Sequence, residues 1–294
     1  DVAKPVPKEG EVLVQVHAAG VGPWDGWVRS GRSVLPQPLP LTLGSDLSGV
    51  VVEVGEGIAD FRPGDEIYGV TNPQFTGACA EYAVASAGMI ARKPRRLSHV
   101  EAASVPVVAV TAWQMLFEHA TLTAGQSVLI LGGAGNVGGY AIQFARHRGL
   151  HVIATGFTRQ LDELRRLGVD QAVTVDSEQW EDAIAPVDAV IDTIGGQAQR
   201  QAMTVLKPGG VLVSAVSQPD DEEAARRGIR TVFFLVKVNT STLTEIATLI
   251  DAAALKPRIG LVLPMAEAVR AHELLEGMRK PSPTGKIVID VTRP

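Results

Sequence analysis

Along the first hundred residues the apolar positions follow a short period, as where Val12, Val14 and Val16 are interleaved with Leu13, Gln15 and His17. A period of two matches a strand, whose successive side chains face opposite sides of a sheet. Residues 48–54 are rich in β-branched types and stop at Gly55-Glu56-Gly57, and another turn follows at Arg62-Pro63-Gly64-Asp65. Short strands cut by Gly and Pro predict an irregular antiparallel barrel or sandwich. From about Val100 the pattern changes, first to a helical stretch through Trp113 and Leu116, then to short apolar runs alternating with amphipathic helices. Strands are predicted at 128–131, 151–155, 172–175, 189–192 and 211–214. Between the first two, Val137, Ala141, Phe144 and Ala145 recur at helical spacing on one face. Alternation of this kind predicts a doubly wound parallel sheet. Leu243, Ile246, Ala247, Ile250 and Ala253 mark a later helix, after which Pro257 and Pro264 break the pattern, and a last strand at 286–291 suits either part.

Composition narrows the class. With 294 residues, 46% of them hydrophobic, and a net charge of -5, the chain has material for two cores and none of the bias of a disordered or fibrous protein. Without a basic block, neither nucleic acid nor an anionic membrane surface is an expected partner. The most apolar stretch, 102–116, is interrupted by Pro106 and is too short to span a bilayer. The single cysteine, Cys79, rules out an intrachain disulfide and a cysteine-rich zinc site, and fits a reducing cytoplasm. Asp1 opens the chain with no basic or apolar leader, so no signal peptide is expected.

The most informative segment is Leu131-Gly132-Gly133-Ala134-Gly135-Asn136-Val137-Gly138, a G-x-G-x-x-G on Gly133, Gly135 and Gly138 that follows a predicted strand and opens a helix. Gly133 suits a tight turn, Gly135 lets backbone approach a pyrophosphate, and Gly138 lets helix and strand pack closely. The first helical residues, Asn136 and Val137, bring N–H groups to the anion. A Gly-rich turn without a ligand is the plainer alternative, but the surrounding βαβ series favours a dinucleotide. About twenty residues on, an NAD site usually has a carboxylate for the ribose 2′-hydroxyl. This chain has Ala154-Thr155-Gly156-Phe157-Thr158-Arg159. Thr155, Thr158 and Arg159 suit a 2′-phosphate, which favours NADPH. The alternative for Arg159 is a solvated position in the next helix's first turn.

Further stretches carry a family likeness: Ala18-Ala19-Gly20-Val21, Gly44-Ser45-Asp46-Leu47-Ser48-Gly49, Pro63-Gly64-Asp65-Glu66, Val110-Thr111-Ala112-Trp113, 188–196, Leu206-Lys207-Pro208-Gly209-Gly210 and Thr284-Gly285-Lys286-Ile287-Val288. In these the chain resembles zinc-free, quinone-oxidoreductase-like members of the medium-chain dehydrogenase/reductase superfamily. The resemblance implies an α/β protein with a GroES-like antiparallel β catalytic domain at 1–100 and 258–294. A doubly wound Rossmann NADP-binding domain would occupy 101–257. It also implies a homodimer and an earlier first hairpin in relatives. Zinc-dependent relatives carry Cys after the Ala-Gly-Val stretch and Gly-His-Glu at Gly44-Ser45-Asp46. Gly22, Pro23 and Ser45 cannot replace those ligands, so no metal is expected. Asp46 reads as a turn residue bonded to nearby backbone.

Without a metal, the acceptor must itself be electron-poor, a quinone or an activated α,β-unsaturated carbonyl compound. The resemblance implies that Thr111, Phe233 and Phe234 surround the nicotinamide and that Ser214 lies along the cofactor. Thr111 bonded to a helix carbonyl and Phe233 in plain strand core are the structural alternatives. Gly22, Trp24 and Trp27 are the candidate acceptor pocket, with core packing as the alternative for both tryptophans. Many relatives carry Asn at the Gly22 position and an aromatic residue at Cys79. Asp25 matches the family pattern and reads as structural; no catalytic acid is identified. Two further functions remain open: an enoyl-thioester reductase, and a crystallin-like NADPH-binding protein with little catalysis.

Overall fold

The computed structural model describes residues 2–35, 37, 39–280 and 283–293. In chain order, β1 (Glu11–Val21), α1 (Pro23–Arg29), β2 (Asp46–Val54), β3 (Glu66–Val70), β4 (Tyr82–Ser86), β5 (Ile90–Arg92) and α2 (His99–Ala103) come first. There follow α3 (Pro106–Trp113), β6 (Ser127–Leu131), α4 (Asn136–His147), β7 (His151–Gly156), α5 (Leu161–Arg166), β8 (Gln171–Thr174) and β9 (Val187–Asp192). Next are α6 (Gly196–Ala202), β10 (Leu206–Ser214), α7 (Asp221–Arg227), β11 (Arg230–Phe233), α8 (Thr240–Asp251), β12 (Ile259–Pro264), α9 (Ala268–Leu275) and β13 (Lys286–Asp290). Two compact units result, Asp1–Val107 with Lys237–Pro294, and Val108–Val236.

The first unit is built on a seven-stranded sheet in the order β12-β13-β1-β2-β3-β5, with β4 also paired to β1. Its pairings are antiparallel except that of β12 with β13. Register shifts in the β1–β2 pairing curl the sheet, so Val12, Val14, Val16, Leu47, Val51 and Ile67 share one core with Ile287 and Ile289. Ala271 and Leu274 of α9 belong to the same core. The last strand is thereby assigned: β13 pairs with β1. β12 lies where the prolines suggested only a break, because Pro264 closes the strand and need not donate within it.

The unit boundary also departs from 257/258. Helix α8 lies in the first unit, where the Tyr68 hydroxyl donates to the Leu243 carbonyl at 2.6 Å and Thr240 Oγ1 to the carbonyls of Ala87 and Ile90 at 3.0 and 2.8 Å. Its buried face, Leu243, Ile246 and Ile250, is among the positions the periodicity marked, whereas Ala253 lies past the helix end, exposed and at φ 60°. Periodicity says that a face is buried, not against which sheet.

The second unit holds a six-stranded, wholly parallel sheet in the order β11-β10-β9-β6-β7-β8. Leu129, Leu131, Ile153, Val190 and Leu212 are buried in its core. Strands covered on both faces read as continuous apolar runs, which made them legible in the sequence. The strand order reverses between β6 and β9, and the loops after their carboxyl ends, at Gly132 and Thr193, meet at this switch point. Among the described residues no helix is long and apolar enough to cross a membrane.

Candidate active site

In the second unit the glycine loop leaves β6 and enters α4, with Gly135 as the helix N-cap. The left-handed turn is taken by Gly132, at φ 74°, and not by Gly133 as the motif suggested. Gly133 is a packing glycine: a Cβ there would stand 2.8 Å from Ala154 Cβ and 2.9 Å from Leu164 Cδ2. Gly138 is required by the loop itself, since a Cβ would run into the Gly132 carbonyl oxygen. Gly135 is different. It is exposed, its φ of -73° is open to any residue, and the nearest atom to an added Cβ is Gly132 O at 3.2 Å. The N–H groups of Asn136, Val137 and Gly138 precede the first bond of α4, from Gly139 N–H to the Gly135 carbonyl.

Around this loop, side chains act as braces. Thr155 is buried and its Oγ1 accepts the Gly132 N–H at 3.2 Å, so its hydroxyl supports the loop. Asp192, fully buried at the end of β9, accepts N–H groups of Ile194 and Gly195, the Gln199 amide and the Ser214 hydroxyl at 2.8–3.0 Å. Ser214 also accepts the Val216 and Ser217 N–H groups, so its side chain is committed to this network. Asp192 was part of a family stretch, but its bracing role had no signal in the sequence.

At the end of β7 the Arg159 guanidinium lies 4.6 Å from the centroid of the half-exposed Phe157 ring. Thr158 donates its N–H to Asp176 Oδ2 at 2.8 Å and shares its hydroxyl with Thr174 at 2.9 Å. Hydrogen bonds from Thr158, with the Arg159 charge, hold the Asp176 carboxyl below its ordinary value. Asp176 was not singled out from the sequence, because it lies on the loop after β8. Thr111 is buried in the same unit, Phe233 ends β11 partly exposed, and the Phe234 ring packs against His119 at 4.3 Å.

In the first unit, α1 brings Gly22 and Trp24 together. The Trp24 ring lies over the Gly22 Cα, where a Cβ would collide with it. Trp24 Nε1 donates to Ser45 Oγ at 2.9 Å, and the Lys286 ammonium sits 4.4 Å from the ring centroid. Trp27, one turn on, is 49% exposed and is not part of this stack. Arg29 ties the helix end to Glu276, the residue that follows α9, at 2.6 Å.

Beneath lie two carboxyls and one ammonium. Asp46 is no turn residue: at the start of β2 and fully buried, it binds Lys286 Nζ through Oδ2 at 2.8 Å and the Val107 N–H through Oδ1 at 2.9 Å. Burial raises its pKa and the Lys286 charge opposes that. Asp25 is 1% exposed; its Oδ2 accepts the Gly22 N–H at 2.8 Å. Burial pushes the Asp25 carboxyl up to about 7, although the Gly22 N–H and Lys286 favour its charged form. The Cys79 thiol is pushed up to about 12, first by burial and then by Asp25. Lys286 stood only inside a family stretch, and nothing local marked it as buried.

The model of the alcohol dehydrogenase GroES-like domain matches residues 8–95, and that of a zinc-binding dehydrogenase domain matches 167–289. The chain is 36% identical to a 2-methylene-furan-3-one reductase of Solanum lycopersicum, over 98% of this chain and 74% of that protein. It is 33% identical to the chloroplastic NADPH-dependent alkenal/one oxidoreductase of Arabidopsis thaliana, over 98% and 74%. Among solved structures, the quinone oxidoreductase from Coxiella burnetii superposes with a TM-score of 0.90 at 35% identity, covering 99% of this chain and 93% of the other.

Proposed function

The chain belongs to the medium-chain dehydrogenase/reductase family, and from that premise we propose that it transfers hydride from NADPH to a quinone or an activated α,β-unsaturated carbonyl compound without zinc. The observation that carries the cofactor reading is Gly135. Its backbone angle does not demand a glycine, and a Cβ there would ask the Gly132 carbonyl to give by only a few tenths of an ångström, far less than at Gly133 or Gly138. Its missing side chain is therefore best explained by close approach of a ligand, as a pyrophosphate makes at a helix N-terminus. Asn136, Val137 and Gly138 supply N–H groups there, and Gly133 and Thr155 keep the loop in shape. Arg159, with Thr158, faces the 2′-phosphate; Thr111, Phe233 and Phe234 line the nicotinamide end, and Ser214 acts through Asp192. When bound, NADPH supplies the hydride. The second unit is the cofactor-binding domain, and the first, with Gly22, Trp24 and Trp27, holds the acceptor.

The matched family description names zinc, but this reading omits it: Gly22 and Ser45 offer no soft ligand, Trp24 fills the space above Gly22, and the Lys286 ammonium already neutralises Asp46. We take the protein to be a cytoplasmic homodimer whose partners are small molecules; β11, paired only with β10 among the described residues, offers a sheet edge for association.

The test is NADPH oxidation with quinones, enones, alkenals and enoyl thioesters, with and without a chelator. Turnover of quinones or enones that survives chelation is expected. Turnover of enoyl thioesters alone would favour the second enzyme reading, binding without turnover would leave an NADPH-binding protein, and one equivalent of zinc by elemental analysis would overturn the metal-free mechanism.

A further inference from the structure

Reduction by hydride leaves negative charge on the acceptor, and the reaction is complete only when a proton has also been delivered. The buried cluster below Trp24 contains two carboxyls, Asp25 and Asp46, for one ammonium, Lys286. Fully ionised, it would carry an uncompensated charge out of water; with one proton on a carboxyl it is neutral. Geometry decides which carboxyl holds that proton. Asp46 touches the ammonium directly and accepts a backbone N–H on its other oxygen. Asp25 accepts the Gly22 N–H on Oδ2 and the Gly44 backbone amide also favours its charged form, while its buried Oδ1 makes no hydrogen bond of good geometry among the described residues. Asp46 is therefore the ionised member, and Asp25 Oδ1 is the one carboxyl oxygen of the cluster free to carry a proton.

We propose that Asp25 holds the proton consumed in each turnover; this rests on the reductase reading given above. The acceptor takes hydride, two electrons and one hydrogen, from NADPH, and the negative charge formed on it takes the proton from the Asp25 O–H. The Asp25 carboxylate is then reprotonated from water. Asp25 belongs to the helix turn that carries Gly22 and Trp24, so its charge state is coupled to the proposed acceptor wall through the Gly22 N–H. The groups facing it are Lys286 of β13, Asp46 of β2 and the neutral thiol of Cys79; Arg29, on its own helix, is turned toward Glu276. With its carboxyl raised to about 7, Asp25 is substantially protonated at neutral pH.

The experiment combines NADPH oxidation, with 1,4-benzoquinone and methyl vinyl ketone, against pH with carboxyl ¹³C NMR of aspartate-labelled protein. In the parent, kcat/KM should be level at low pH and fall about tenfold per pH unit above a midpoint near 7. One aspartate signal should titrate at that midpoint. Asp25→Asn should abolish the signal, lower kcat/KM at pH 6 by at least tenfold and remove the midpoint. Asp46→Asn leaves Lys286 to Asp25 alone and should move the midpoint down, which tests the cluster in a second variant. A parent signal confined to the ordinary aspartate range overturns the proposal, and so does a midpoint that persists unchanged in Asp25→Asn. If the parent reduces neither acceptor while the signal still titrates near 7, the reductase reading fails and takes the proton role with it; the NMR arm separates that failure from an error about Asp25 itself.

Discussion

Position 22 has no room for a side chain. Any Cβ would enter the Trp24 ring, which is pinned on its other contacts by Ser45 and by the Lys286 ammonium. Gly22 and Trp24 are thus a matched pair, and the departure from the Asn common in relatives is explained by packing. Gly22→Asn should cost about 1–3 kcal/mol, as overpacking does. Trp24→Ala in the same chain should recover part of that, giving a coupling on the order of 1–2 kcal/mol in a double-mutant cycle of thermal or urea unfolding. Additive effects would show that the two residues do not constrain each other. The sequence made Gly22 conspicuous as a departure from the family. It did not reveal Trp24 folded back two residues along the chain, because a rotamer choice made by Ser45 and Lys286 leaves no local pattern.

The elements were legible where burial imposes a simple period. Five of the six parallel strands and α4 emerged as apolar runs and a helical face, and Gly135 at the N-cap of α4 came from the motif. Less regular elements were hidden: β11 has no fully buried residue, and β12 contains Gly260 and ends at Pro264. The same limit applies within the loop, where motif spacing cannot distinguish a glycine needed by the fold from one needed by a ligand. Gly138→Ala forces a methyl against the Gly132 carbonyl and should lower stability by about 1–3 kcal/mol before any cofactor is added. Gly135→Ala meets that oxygen only at 3.2 Å and should cost at most about 1 kcal/mol. Its NADPH dissociation constant should nevertheless rise at least tenfold, equivalent to about 1.4 kcal/mol. Unfolding curves paired with NADPH titrations check this, and unchanged affinity in Gly135→Ala would remove the main support for the cofactor site.

For the molecule as a whole, pH alters stability through groups that hold protons differently in the folded and unfolded chain. His99 contacts Ser48 Oγ through Nδ1 at 2.8 Å and Glu66 through Nε2 at 3.1 Å, with the His17 ring 4.3 Å away. Burial first, and His17 next, push its pKa from 6.5 to about 4, while Glu66 opposes the shift. The unfolded chain therefore takes up this proton more readily. The stability contributed by neutral His99 is complete above about pH 6.5 and is lost as pH falls to about 4. Asp25 has the opposite sign. Its carboxyl is raised from 3.8 to about 7, so the folded chain keeps the proton. Its contribution is complete below about pH 3.8 and is lost as pH rises to about 7. Each gap corresponds to about 3–4 kcal/mol at full titration. Because the two nearly offset in the parent, they are read from differences between variants and parent. Relative to the parent, Asp25→Asn should gain stability steadily from pH 4 to 7. His99→Gln should gain as pH falls from 6.5 to 4. Denaturant midpoints across this range provide the two difference curves, which must slope in opposite directions. A level or reversed curve for either variant would mean that its group does not carry the charge state assigned to it here, and for Asp25→Asn the buried cluster would then lose its claim to a proton near neutrality.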